Sequence, residues 1–356
     1  MAKETNSSRK RLQKRTSDSP KAEDVARVAG VSTATVSRYL ANHHSVSEKR
    51  GNLIQKAIEA LGYIPHGAAQ ALASQRTKTI GVIVPTLDNA IFAEGIQAFQ
   101  RRLQEKGFTL FIASSDYSLD EELAQAERLV TRGVEGLMLV GAEHHSQLFE
   151  ILKKKQIPYL YTWSYKPDLG HPCIGFNNHL ASSRLTQYLL DLGHEDFALI
   201  PGIVHDNDRT RDRLEGCLTT LKQAGVHVPT DRIVECRYDF SESRQVMKKL
   251  LAMNPRPTAI ICGNDVIAMG ALLEAQHQGI IVPDAISVVG FDDLALSSHF
   301  QPALTTMHVP SKAMGERAAD YLLARLEHEA VQECHELEAK LVVRATTAKP
   351  QKKIPD

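Results

Sequence analysis

The chain has 356 residues, 43% hydrophobic and 24% charged, enough for two or three domains each with its own core. No stretch of about 18 apolar residues that could span a bilayer occurs, the polar start lacks the apolar segment of a secretory signal, and the five scattered cysteines (Cys173, Cys217, Cys236, Cys262, Cys334) form no CxxC pair. A membrane protein, a disulfide framework and a zinc site are thereby disfavoured, and reduced thiols in a cytoplasmic protein are expected. Formal charge is zero overall, yet residues 1–78 hold 14 Lys/Arg against 6 Asp/Glu and the remainder 28 against 36. A basic head on an acidic body concentrates phosphate attraction at one end, as a modular DNA binder needs.

Residues 1–20 read as a disordered basic tail able to touch phosphates non-specifically. Lys21–Asn42 then has the form helix, turn, helix. Val25, Ala26, Val28 and Ala29 give the first helix an apolar face, and Gly30 permits the left-handed turn. Ser32 stands at an N-cap, and Val36 and Leu40 recur four apart as the inner side of the second helix. Its outer side carries Thr33, Ala34, Ser37 and Arg38, short side chains with an arginine one turn on, which suits a helix entering a major groove. Ser47 caps a third helical pattern (Val46, Leu53, Ile54, Ala57, Ile58, Leu61), within which Gly51 costs up to about 1 kcal/mol relative to alanine. Gly62-Tyr63-Ile64-Pro65 and the alanine-rich His66–Ser74 follow.

From Thr79 onward short apolar runs alternate with amphipathic helices. Strands are expected at Ile80–Val84, Thr109–Ala113, Gly136–Val140, Pro158–Tyr161, Phe197–Ile200, Ala259–Cys262 and Ser287–Val289. Intervening helices end on Gly107, Gly133, Gly193, Gly225 and Gly279, a repeated helix–Gly–strand unit that implies parallel βα crossovers. The strands are continuously apolar, as when helices cover both faces of a sheet. The count suits two doubly wound subdomains, with ligands bound outside the carboxyl ends of facing strands. The fold class expected is α/β with a small all-α head.

The chain resembles the LacI/GalR family of bacterial transcription regulators. The resemblance rests on Asp24-Val25-Ala26, Ala29-Gly30-Val31-Ser32, Thr35-Val36-Ser37-Arg38, Leu61-Gly62-Tyr63-Ile64-Pro65, Ala69 and Leu72. It continues through Gly81-Val82-Ile83-Val84-Pro85, Asn264-Asp265, Val289-Gly290-Phe291-Asp292-Asp293 and Pro302-Ala303-Leu304-Thr305-Thr306. It implies a periplasmic-binding-protein-like core whose chain crosses between lobes three times, near Gly175–Asn178, His308–Pro310 and Glu333–Glu336. The expected division is a tail (1–20), a helix-turn-helix domain (21–65), a hinge (66–78), a core (79–347) and a polar tail (348–356). Within the core, 79–176 with 309–334 and 177–308 with 335–347 would form the two subdomains.

The resemblance places Thr33, Ala34 and Arg38 at base-reading positions and leaves Thr35 and Ser37 to hold phosphates or cap locally. It makes the hinge a helix that forms on the operator, with Leu72 as the wedge of the central step and Ala69 facing the minor-groove floor. Such a short helix is marginal alone. His66 and Gly67 depart from the family's usual Asn and Arg, which weakens helix propensity and removes a cation.

In the core, Asp88, Asn89 and Phe92 follow the first strand, and Trp163, the only tryptophan, follows another. Arg209 and Arg213 share a helix face, and Arg213, Asn264 and Asp292 match the family's effector contacts. Asp265 and Asp293 are read as braces. Arginine with Asn/Asp around an aromatic plate suits a small hydroxyl-rich effector, and two arginines would favour a sugar acid. The expectation is a cytoplasmic homodimeric repressor of a pseudo-palindromic double-stranded operator, released by its effector, with no cofactor, metal or catalytic residue. A solute-binding protein is the second reading and lacks an export signal here. An enzyme is the third; GxSxG, HExxH, P-loop and GxGxxG motifs are absent, and His43-His44 and His144-His145 lack metal-ligand spacing.

Overall fold

A computed structural model describes residues 20–41, 45–64 and 76–351. The tail, Ala69 and Leu72 of the hinge, and the departures His66 and Gly67 lie outside the described residues. The chain divides into two compact units, residues 1–77 and 78–356.

The first unit contains α1 (Ala22–Ala29), α2 (Thr33–Ala41) and α3 (Glu48–Leu61). Val25, Val36 and Ile54 are fully buried at its centre, with Ala26, Ala29, Tyr39 and Ala57 around them. Gly30 ends α1 at φ +66°, a conformation a Cβ would penalise. Val28, expected on the apolar face, is 56% exposed, and Leu53 is 45% exposed. Only a narrow stripe of each short helix reaches so small a core. Gly51 is buried in α3, where a Cβ would come 3.1 Å from Tyr39 Cε2. The helix tolerates a poor helix former because the ring of α2 needs that space.

The second unit holds two sheets. The strands of the first are β1 (Thr79–Val84), β2 (Thr109–Ser114), β3 (Gly136–Val140), β4 (Tyr159–Thr162), β5 (Cys173–Gly175) and β10 (Cys334–Glu336), in the order β10-β5-β4-β3-β1-β2, all parallel. Its crossover helices are α4 (Ala90–Glu105), α5 (Leu119–Thr131) and α6 (Ser146–Lys154), and α11 (Ser311–Leu326) packs alongside α4. The second sheet contains β6 (Phe197–Ile200), β7 (Ala259–Cys262), β8 (Ser287–Asp292), β9 (Thr305–His308) and β11 (Lys340–Val342), in the order β11-β9-β8-β7-β6 with β11 antiparallel. A parallel bridge from Leu199 to Ile233 adds one residue of strand outside β6. Its helices are α7 (Asn178–Asp191), α8 (Asp208–Gln223), α9 (Phe240–Leu251) and α10 (Asp265–His277).

The expected doubly wound α/β class is therefore the one observed. The strand order reverses between β1 and β3 and, counting the Ile233 bridge outside β6, between β6 and β7, the positions where such sheets bind ligands at the strands' carboxyl ends. Gly107, Gly133, Gly193, Gly225 and Gly279 all carry positive φ after their helices. The chain passes between the sheets after β5, after β9 and between β10 and β11. The third passage thus follows Cys334–Glu336, which itself pairs with β5. β1 and β3 are buried throughout, but β2 is an edge strand with Phe111 and Ile112 exposed. Among the described residues no helix is long and apolar enough to cross a membrane.

Candidate functional site

In the first unit the exposed side of α2 presents Thr33, Ala34, Ser37 and Arg38 together. Thr35 is turned inward: it is buried, its hydroxyl lies 2.8 Å from Ser32 Oγ, and its N–H donates to that same oxygen at 3.2 Å. Thr35 braces the start of the helix and offers no free hydroxyl outward. Tyr39 OH donates to Gln55 Oε1 at 3.1 Å, fixing α2 on α3. The result is a rigid helix with small side chains at its tip and a cation one turn on, able to approach base edges.

In the second unit Asn89, Phe92, Trp163, Arg209, Arg213, Asn264 and Asp292 line one narrow cavity. Asp88 stands outside it, exposed at the adjoining mouth. Each strand end contributes. Asn89 caps α4, its Oδ1 accepting from Ile91 N at 3.3 Å. Asn264 caps α10 in the same way, accepting from Ile267 N at 2.9 Å. Phe92 meets Trp163 edge-on at 5.3 Å. Trp163 follows β4 at φ +63° and is buried, and its indole fits because position 95 is glycine, where a Cβ would lie 2.6 Å from Cη2.

The start of α8 supplies the arginines. Arg213 Nη1 donates to Asn178 Oδ1 at 2.9 Å, and its Cζ lies 4.8 Å from the Phe291 ring centre. Arg209 is already engaged: Nη1 donates to Val140 O at 3.0 Å and to Asp208 Oδ1 at 3.1 Å. Arg211 points elsewhere and pairs with Glu143. Asp292 ends β8 at φ +116°; burial pushes its carboxyl well above the usual range, with Arg213 opposing and Asp265 adding to the rise. Asp265 accepts from Ser297 Oγ, Thr306 Oγ1 and Leu294 N, and burial still lifts it to about 6. Asp293 holds Arg344 and His308. Both act as braces.

Tyr117, Asn207 and Tyr238 also line the cavity and were not anticipated. Tyr117 lies three residues past β2 at φ +59°, its ring 5.6 Å from that of Tyr238. Asn207 Nδ2 lies within hydrogen-bonding distance of Ile203 O, Thr210 Oγ1 and Tyr238 OH, which share its two hydrogens. The strand-end rule applied to β2 would have found Tyr117; Tyr238 sits in an irregular loop with no comparable signal.

Among the described residues, four buried side-chain polar atoms have no hydrogen-bond partner: Trp163 Nε1, Arg213 Nε, Asn264 Nδ2 and Asn207 Oδ1. All four belong to residues of this cavity. Unsatisfied buried groups cost about 1–3 kcal/mol each, so three donors and one acceptor collected in one place mark a site built for a polar guest.

Comparison with known proteins bears on both units. Residues 22–66 match the model of bacterial regulatory proteins of the lacI family, and residues 186–347 match that of a periplasmic binding protein-like domain. The HTH-type transcriptional repressor PurR of Salmonella paratyphi B is 33% identical over 330 residues, covering 91% of this chain and 96% of that protein. A LacI-family transcriptional regulator from Silicibacter pomeroyi superposes with a TM-score of 0.85 at 27% identity, covering 92% of this chain and 99% of that one. The lac repressor dimer bound to operator and the anti-inducer ONPF gives a TM-score of 0.81 at 27% identity with the same coverage. With a lacI-family match over the three-helix head, a periplasmic binding protein-like match over the core, and a relative of this identity along nearly its whole length, the chain belongs to the LacI family and is a DNA-binding transcriptional repressor.

Proposed function

We propose that this repressor acts as a homodimer on a pseudo-palindromic operator and is released from it by a small hydroxylated effector, a sugar or sugar acid, held in the cavity of the second unit. Arg38, with Thr33 and Ala34, reads base edges, and Ser37 contacts phosphate. Ala69 and Leu72 act at the minor groove. Asn89, Phe92, Trp163, Arg213, Asn264 and Asp292 hold the effector, with Arg209 at the cavity wall and Asp88 at its mouth. No step of this role is enzymatic.

The observation that carries the effector reading is the set of four unpartnered polar atoms in one cavity. A ligand with several oxygens supplies acceptors to the indole, guanidinium and amide donors and a hydroxyl donor to Asn207 Oδ1. Burial opposes a negative charge on Asp292, which leaves the Arg213 cation incompletely balanced and favours a carboxylate guest. Calorimetric titration of the full-length protein with gluconate, glucose and adenine tests this. Gluconate is expected to bind most tightly and to lower affinity for an operator selected from a random pool. Equal binding of glucose would remove the acid from the assignment, and binding of adenine alone would remove the hydroxylated class.

A further inference from the structure

The loop carrying Trp163 belongs to the first sheet, yet its nearest anchors come from helices of the second. Asn178, the first residue of α7, donates through Nδ2 to Trp163 O at 2.8 Å. Asp208, the first residue of α8, accepts from Ser164 Oγ at 2.6 Å and from Ala142 N at 3.1 Å through one carboxylate oxygen. Its other oxygen meets Arg209, which reaches Val140 O. Two residues of one lobe thus grip the tryptophan's own carbonyl and the hydroxyl of the next residue.

The surroundings are shaped for this contact. Gly141 adopts φ +92°, and a Cβ there would fall 1.9 Å from Arg209 Nη1 and 2.5 Å from Asp208 Oδ1. A Cβ on Gly175 would fall 2.3 Å from Ser164 O, so that glycine lets the Ser164 backbone lie against β5. Ser164 is wholly buried and Asp208 nearly so, which makes their short bond inaccessible to competing water.

We infer that Asp208 is a positioning residue: through Ser164 it fixes the Trp163 indole, so that approach of the two lobes and placement of the cavity's aromatic wall are one event. Its consequence for ligand response rests on the effector reading above; the coupling itself does not. Parting of the lobes would free Trp163 from Asn178 and Ser164 from Asp208 together.

Because Trp163 is the only tryptophan, its fluorescence in the full-length protein without ligand reports the coupling directly. Ser164→Ala and Asp208→Ala are expected to shift emission to the red and to raise the acrylamide quenching constant about twofold, as local opening exposes the ring. Asp208→Asn, which keeps an oxygen for Ser164 Oγ and Ala142 N, should restore most of the wild-type quenching. Arg128→Ala, in an exposed pair with Glu121, should change nothing. Identical emission and quenching in Ser164→Ala and wild type would overturn the inference. Should Asp208→Ala fail to fold because Arg209 loses its partner, Ser164→Ala alone decides. Failure to bind gluconate would count against the effector reading and leave this result standing.

Discussion

Arg213 lies over Phe291, its guanidinium carbon 4.8 Å from the ring centre, while Nη1 is committed to Asn178 and Nε remains unpartnered. The stack, the Asn178 bond and a 3.3 Å bond from Nη2 to Thr210 Oγ1 hold the planar group in one orientation, leaving Nε–H buried without a partner. Lysine can neither stack in this way nor present that N–H. Arg213→Lys should therefore weaken gluconate binding by about 1.5–3 kcal/mol, or 10- to 150-fold, with operator affinity of the free protein retained. Titration calorimetry paired with an operator shift assay separates the two.

Arg38 stands exposed on α2 beside Thr33, Ala34 and Ser37. Arg38→Ala should relax discrimination at one base pair by about 1–3 kcal/mol. Binding to a selected operator and to its single-base variants checks this. A uniform loss across all variants would make Arg38 a phosphate contact, as contacts to the backbone carry no sequence information.

The closeness of Gly51 to Tyr39 predicts an effect opposite to helix propensity. Leucine is the better helix former, yet at this position it must displace the Tyr39 ring, and overpacking typically costs about 1–3 kcal/mol. Gly51→Leu should speed amide exchange across residues 33–61 of the full chain and leave residues 79–347 unchanged.

The His144 side chain is wholly buried, with Nδ1 2.8 Å from Glu122 Oε2 and Nε2 2.9 Å from Gly141 O. Burial works against a charged imidazole, but Glu122 outweighs it and raises the group above its ordinary value. The folded state therefore binds the proton more tightly than the unfolded chain does. The stabilisation is fully present below about pH 6.5 and is lost as pH climbs through the raised value. The melting temperature of the wild type should fall across that range relative to His144→Gln, which has no proton to lose there. Parallel slopes in differential scanning fluorimetry would contradict the assignment.

Periodicity and glycine placement made the crossover units readable, because a helix stopped by Gly107 or Gly193 leaves a local mark. Three-residue strands such as β5, β10 and β11 leave none; they exist because a neighbouring strand is already there. Asn89, Trp163 and Asn264 could be proposed from their places at strand ends. The use of Arg209 could not: it depends on Val140, 69 residues away, and on the room left by Gly141. Val28 illustrates the opposite limit, since an apolar residue on a short helix need not reach the core.

The three passages between the sheets leave from neighbouring strands: β5 lies beside β10, and β9 beside β11. Three straps along one side behave like the spine of a book. The two covers can swing about that spine, but twisting or sliding one past the other would stretch at least one strap. Hinge bending about that spine is the motion that leaves all three connections unstretched, and guests of different bulk would set how far the covers shut.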